Sequence, residues 1–250
     1  MKIFLKPELI KTNLSSQAIA ISCALRYSFC DNENPIIYTS VDYWAFALTG
    51  SINYLTRFKE ALLFGFNELV ENGYVKIIKK KKDSYILDYS PMIINPSDDK
   101  YVLIDPQDVR TIFNLEGVKI FQLLKYFVVL SSTMTVSLGM PTDRYCERPV
   151  LVSNLAGTYL AKLSDTSYQT ILSYNRILEE SNIIYVYRQR VRSVTKEGTP
   201  YTTPNIYGRY ADKEWIDVKA PKFLNKKRHN DVYTYKNSGD IHRKTENLPM

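Results

Sequence analysis

The chain has 250 residues, 45% of them hydrophobic and 24% charged; this is the composition of a folded protein with one large domain or two small ones, and it excludes a wholly disordered chain, a collagen-like repeat and a disulfide-dense miniprotein. Lys plus Arg (33) outnumber Asp plus Glu (26), a net charge of +7 that favours an anionic partner without identifying it. With 20 Tyr and only 9 Gly, residue usage follows AT-rich codons, so part of the basic balance reflects genome composition.

Ser15-Ser16 are expected to cap a helix with Ala18, Ile19, Ile21, Ser22, Leu25 and Tyr27 inward, ended by the turn residues Asp31 to Pro35. Ile36-Ile37-Tyr38 reads as a short strand. Ser40 caps a short helix from Val41 to Leu48, and Thr49-Gly50-Ser51 makes a tight turn with a new cap at Ser51. A long helix follows, with Leu55, Phe58, Leu62, Phe66 and Leu69 on one stripe at spacings of three and four. Asn72-Gly73 supplies a left-handed C-cap. Tyr74 to Ile78 is a strand, Lys79 to Ser84 a charged hairpin tip, and Tyr85-Ile86-Leu87 the return strand. Helix, strand, helix, tight turn, helix and hairpin in this order read as a winged helix-turn-helix over residues 1–91.

Residues 92–114 form a connector with a β-like stretch, Tyr101 to Ile104, between two Pro-containing turns. Gly117 to Leu130 is an apolar helix, Ser131 to Pro149 a polar insert, and Pro149 to Val152 β-like or a helix lead-in. Asn154 to Leu163 reads as a short helix. Thr166 to Ser181 is a longer one with Ile171, Tyr174, Asn175 and Leu178 inward. Asn182 is a left-handed break, Ile183 to Arg188 a strand, Arg190 to Thr203 a tip, and Asn205 to Tyr210 the return strand. Residues 115–210 thus read as a second winged helix. NELVENGYVKIIKK and NRILEESNIIYVYR both run helix end, break, strand. Residues 211–250 hold many Lys and Arg and few apolar residues after Leu224, so a loose, partly disordered basic arm is expected. The fold class is α+β, mainly α: two tandem winged helices, each with a C-terminal hairpin.

Several chemistries lack their motifs. There is no GxxxxGK[ST] phosphate loop and no GxGxxG turn. The two histidines, His229 and His242, sit in the polar tail, which leaves zinc centres and histidine-clamped metal sites without ligands. Nothing equips any tyrosine as a nucleophile. No enzyme activity, cofactor or metal is expected. Cys23, Cys30 and Cys146 form no CxxC pair and have apolar or aromatic neighbours, as reduced thiols in a cytoplasmic protein would. The longest apolar run, Tyr126 to Leu130, is far short of the ~20 residues of a membrane span. The charged start has no apolar core for a signal peptide.

The candidate contacts are to double-stranded DNA. At the first long helix, Ser51, Asn53, Tyr54 and Arg57 face outward near its start; Asn and Arg suit bidentate contacts to base edges. In the second unit, Ser167, Tyr168, Gln169, Thr170 and Ser173 occupy the equivalent helix start, where small hydroxyls and free amides approach phosphates closely. Lys79, Lys80, Lys81 and Lys82 charge the first hairpin, and Arg188, Arg190, Arg192 and Lys196 the second. Two basic hairpins, each directly after a presumed recognition helix, predict salt-dependent binding. The solvated-edge alternative is that such charges only discourage strand pairing.

TSYQTILSYNRILEESNIIYVYRQR (from Thr166) with PNIYGRY (from Pro204) resembles the second winged helix of replication initiators on plasmids and mobile elements of low-GC Gram-positive bacteria. SSQAIAISCALRYS with FNELVENGYVKII resembles their first. The resemblance implies binding to direct repeats at an origin and recruitment of host replication proteins. A transcription regulator on the same scaffold, expected as a homodimer on an inverted repeat, and a protein-interaction module of a replication or conjugation assembly are the alternatives.

Overall fold

The structure, a computed structural model, describes residues 3–11, 14–27, 35–94, 101–141, 149–188, 191–194, 200–202, 204–228 and 233–236. It is an α+β protein, mainly helical, with small antiparallel sheets. The chain divides into two units, Met1–Ser132 and Thr133–Met250.

In the first unit, β1 (Ile3–Leu5) and α1 (Glu8–Lys11) precede α2 (Ser16–Tyr27). Ser15 caps α2: its hydroxyl accepts from the Ala18 amide at 3.1 Å, and its own amide donates to Glu68 at 2.9 Å. α2 is buried along nearly its whole length, so Ala20, Cys23 and Ala24 join the expected inward set. β2 (Ile36–Ser40) runs straight into α3 (Val41–Thr49), whose first turn is capped by the Ser40 hydroxyl, 3.1 Å from the Tyr43 amide. Gly50, at φ 79, ends α3 in the left-handed conformation that glycine tolerates.

α4 (Thr56–Glu71) starts later than the sequence suggests. The Ser51 hydroxyl accepts from the Asn53 amide at 3.0 Å, closing a local turn rather than capping a helix. Leu55 holds the N-cap position with no side-chain bond and is 80% exposed, so it leaves the expected stripe. Leu62, Phe66 and Leu69 are buried as expected. β3 (Lys76–Lys81) and β4 (Ser84–Asp88) follow, joined at Lys82-Asp83, which puts Lys79 to Lys81 in a strand and not in a loop tip. The sheet order is β2-β4-β3, all antiparallel. Trp44 lies at the centre of the core, 4.7 Å from the Phe66 ring and 5.5 Å from that of Tyr85. α4 crosses α2 so closely that a Cβ on Gly65 would stand 2.3 Å from the Gln17 backbone.

The connector and the helix after it also belong to this unit. β5 (Val102–Ile104) pairs with β1, Ile104 opposite Ile3. α5 (Pro106–Phe113), capped by Asp105, packs on α3, and α6 (Ile120–Ser132) packs on α2, α5 and β5. The boundary therefore falls after α6. A separate 92–114 connector and a second domain opening at 115 are both displaced, because the apolar surface of α6 is satisfied by α2. Lys125 adds a bond to the Leu14 carbonyl at 2.9 Å.

The second unit begins with β6 (Val136–Ser137) paired to β7 (Leu151–Val152). α7 (Gly157–Leu163) and α8 (Tyr168–Glu180) pack on each other. Ser167 caps α8 by accepting from the Thr170 amide at 3.1 Å, and Asn182 takes the expected left-handed turn at φ 56. β8 (Ile184–Tyr187), β9 (Val191–Val194), β10 (Pro200–Thr202) and β11 (Ile206–Arg209) follow. β8 pairs with β11, and Ser153 bridges Tyr207 through two 2.8 Å backbone bonds. The expected 190–203 tip thus contains two strands, β9 and β10, paired with each other.

Residues 211–250 are not wholly a loose arm. α9 (Lys213–Arg228) buries Ile216, Ala220 and Leu224 in a core with Leu138, Val150, Val152 and Ile206. β12 (Tyr233–Lys236) pairs with β9. Gly208 lets α9 approach: a Cβ there would lie 2.4 Å from Ile216 Cδ1. Trp215 donates to the Leu138 carbonyl at 3.1 Å, which anchors the start of the polar insert. Burial pushes the Cys23 thiol up to about 12, so it stays protonated and unreactive. Cys30 and Cys146 lie outside the described residues. Among the described residues, no helix is long and apolar enough to cross a membrane.

Candidate nucleic-acid interface

Three contacts gather one end of the first unit. Lys59, in the second turn of α4, donates to Asp83 in the hairpin turn at 2.6 Å. The Val41 amide at the start of α3 donates to the Asp83 carbonyl at 3.1 Å. The Tyr54 hydroxyl donates to Asp42, which fixes the 50–55 turn to the first turn of α3. The hairpin turn is thereby held beside the starts of α3 and α4. Of the expected site residues, Ser51, Asn53 and Tyr54 lie in the turn before α4, and Arg57 lies in its first turn. Ser51, Asn53, Arg57 and Lys79 to Lys82 are all exposed.

The electrostatics follow from these contacts. Lys59 is held above its ordinary value, mainly by its hydrogen bond to Asp83. Burial, with the bond to Asp42, pushes Tyr54 up to about 12, so it acts as a donor and not as an anion. Among the described residues, no ion pair engages Arg57 or Lys79 to Lys82. Lys80 lies 5.5 Å over the Tyr85 ring. Asp42 and Asp83 add two negative charges to this end, but they are committed to Tyr54 and Lys59.

In β3 an irregularity between Ile77 and Lys79 shifts the register. Lys79 and Lys81 then pair with Ile86 and Ser84, while Ile77 and Lys80 pair with the buried Leu87 and Tyr85. A bulge of this kind re-aims side chains. No local pattern in a run of lysines reveals it. Leu55, expected on the buried stripe, is 80% exposed; Ile52 (64%) near it and Tyr38 (80%) on β2 are exposed too, and neither was among the expected site residues. Tyr38 alternates with the buried Ile37 and Thr39, and that period-two pattern was the available signal.

In the second unit, Ser167, Tyr168, Gln169 and Ser173 are exposed at the start of α8 and Thr170 is half-buried. Ser167 and Thr170 bond each other at 2.8 Å as part of the cap. The Tyr168 ring packs on Gly157, where a Cβ would stand 2.6 Å from it. Arg188 is committed: both of its terminal nitrogens bond Glu179, which raises its pKa further. Arg192 lies in β9 opposite Thr202 of β10 and Tyr235 of β12. Arg190 and Lys196 lie outside the described residues. α7 carries exposed Tyr159 and Leu163, and α8 exposed Tyr168 and Leu172. Among the described residues, no group of three His, Cys, Asp or Glu is placed to hold a metal ion.

Comparison with protein-family models, with curated proteins and with solved structures gives no match.

Proposed function

We propose that each unit is a winged helix and that the first binds double-stranded DNA, with α4 and the turn before it toward a groove and the lysines of β3 and its turn on the phosphate backbone. In support, α2, β2, α3, α4 and the β3–β4 hairpin follow one another with β4 between β2 and β3. The second unit carries the later part of the same order, with Ser153 after β7 joined to β11, then α7, α8 and the β8–β11 pair. The observation that carries the reading is the pinned hairpin turn. The bonds from Lys59 and Val41 to Asp83 hold it beside the start of α4, so free cations and base-reading side chains stand at one end of one unit.

Within this reading, the protein is a cytoplasmic, non-enzymatic initiator acting at direct repeats of a plasmid or phage-like origin. A transcription regulator would use the same surface. Selection of bound fragments from random duplex DNA at two salt concentrations tests it. A direct repeat supports the initiator and an inverted repeat the regulator. No enrichment at either salt rejects duplex recognition. For the second unit, a protein-interaction role is favoured by a specific observation: Tyr159, Leu163, Tyr168 and Leu172 are exposed while Arg188 is neutralised by Glu179.

A further inference from the structure

The outer face of the β2-β4-β3 sheet is distinct from the start of α4 and has its own chemistry. Cross-strand register sets Tyr38 beside Ile86 and Ile86 beside Lys79; two residues along, it sets Ser40 beside Ser84 and Ser84 beside Lys81. Because alternate residues share a face, these six side chains form two parallel rows on the side away from Trp44. The register shift at Ile78 is what places Lys79 and Lys81 there; an unbroken strand would have turned Lys79 and Lys81 inward and Lys80 outward. Tyr43 closes one end from the first turn of α3, and the rows line a groove of about 470 Å³.

An 80%-exposed tyrosine ring, two hydroxyls and, across β4, two lysines that no carboxylate engages among the described residues match one ligand chemistry. The ring offers a π-face on which an unpaired base stacks, and the lysines offer charge to the flanking phosphates. The rows are about 6.8 Å apart along the strands, close to the step between successive phosphates of an extended strand. A duplex cannot use this arrangement, since its bases are stacked on one another and present only their edges.

We propose that this sheet face binds single-stranded DNA, with one base stacked on Tyr38 and the adjoining phosphates on Lys79 and Lys81. The proposal extends the duplex-binding reading through the shared lysines, but Tyr38 belongs to the single-strand site alone and Arg57 to the duplex site alone. An initiator with both sites could hold a duplex repeat and an opened strand with one domain.

The test is fluorescence anisotropy with the full chain, using a labelled oligothymidylate of about 12 nucleotides and a labelled duplex selected as above. Tyr38→Ala is expected to weaken binding of the single strand by about fivefold to a hundredfold, the range of one base–aromatic stack, and to leave duplex binding within about twofold. Tyr38→Phe keeps the ring and is expected to restore strand binding. Arg57→Gln is expected to weaken the duplex and spare the strand. The proposal is overturned if Tyr38→Ala leaves strand binding unchanged, if it weakens strand and duplex equally, or if oligouridylate binds more tightly than oligothymidylate. Strand binding that depends on Tyr38, found alongside no duplex binding, would reject the duplex reading while sustaining this one.

Discussion

The two units place the same pair of elements, a helix and the hairpin that follows it, under opposite charge arrangements. In the first, Lys79 to Lys82 and Arg57 are exposed and engage no carboxylate among the described residues, and the hairpin is positioned by a separate cation, Lys59 on Asp83. In the second, Arg188 is clamped by Glu179 and Arg176 by Glu180, and the exposed surface of α7 and α8 is Tyr159, Leu163, Tyr168 and Leu172. Charge in the sequence therefore does not translate directly into charge available to a ligand. The first unit separates the residue that anchors from those that remain free. The second commits Arg176 and Arg188 to its own carboxylates. On the proposed reading, electrostatic affinity belongs to the first unit and partner contact to the second.

The largest expected effect tests how each unit is closed. Gly65→Ala drives a Cβ to 2.3 Å from the α2 backbone, which cannot yield locally, whereas Gly208→Ala meets the end of the Ile216 side chain. The first substitution is expected to cost more than about 3 kcal/mol and the second about 1–2 kcal/mol, read from denaturant midpoints of the full chain. Equal costs would mean that α4 and α2 can slide apart as readily as an isoleucine can change rotamer.

Next in size is the charge contrast itself. Replacing Lys79, Lys80, Lys81 and Lys82 with Glu is expected to reduce duplex retention by at least about a hundredfold and to lower the slope of log affinity against log salt by roughly three to four. Arg188→Gln is expected to change duplex affinity by less than about twofold, because that guanidinium is already paired. A large loss of duplex affinity in the Arg188 variant would erase the distinction between the units. Arg188→Gln should instead appear as a loss of stability of at most about 1 kcal/mol, the usual scale of a partly exposed ion pair.

How far these arrangements are legible in the sequence depends on how local their causes are. Ser15 and Ser40 as caps, the tight turn at Gly50, Gly73 and Asn182 as left-handed breaks, and the Leu62, Phe66 and Leu69 part of the long-helix stripe are written in neighbouring residues, and these are found as read. Ser51 misleads because a serine after a glycine fits a helix cap and a local turn equally well, and only the turn forms. The bulge at Ile78 depends on which residues of β4 stand opposite. The pairing of β1 with β5 joins residues about a hundred positions apart, and α6 is apolar enough to suit either core, so neither could be assigned from local pattern. α9 did carry a signal: Ile216, Ala220 and Leu224 recur at intervals of four, the mark of a buried helical stripe, within a segment whose charge suggested disorder. Of the candidate site, the residue types were legible, but which cations stay unpaired was not, since that depends on where Glu179 and Asp83 come to lie.

The smallest expected effect asks what the units share. Tyr54 donates to Asp42 and Tyr185 to Asp217, so each unit ties a turn or strand to a helix through one tyrosine–carboxylate bond. In both, burial first and the carboxylate second push the tyrosine from its ordinary value of 10 up to about 12. A raised value in the folded state means that the native protein keeps a proton the unfolded chain gives up near pH 10. The contribution to stability is therefore complete below pH 10 and is lost as pH rises from 10 toward 12. Denaturant midpoints followed across this window are expected to fall with pH in the wild type, and less steeply in Tyr54→Phe and Tyr185→Phe. If the two phenylalanine variants track the wild type, the alkaline loss has another source. If both flatten it, the units are anchored by the same device and differ in what they leave exposed.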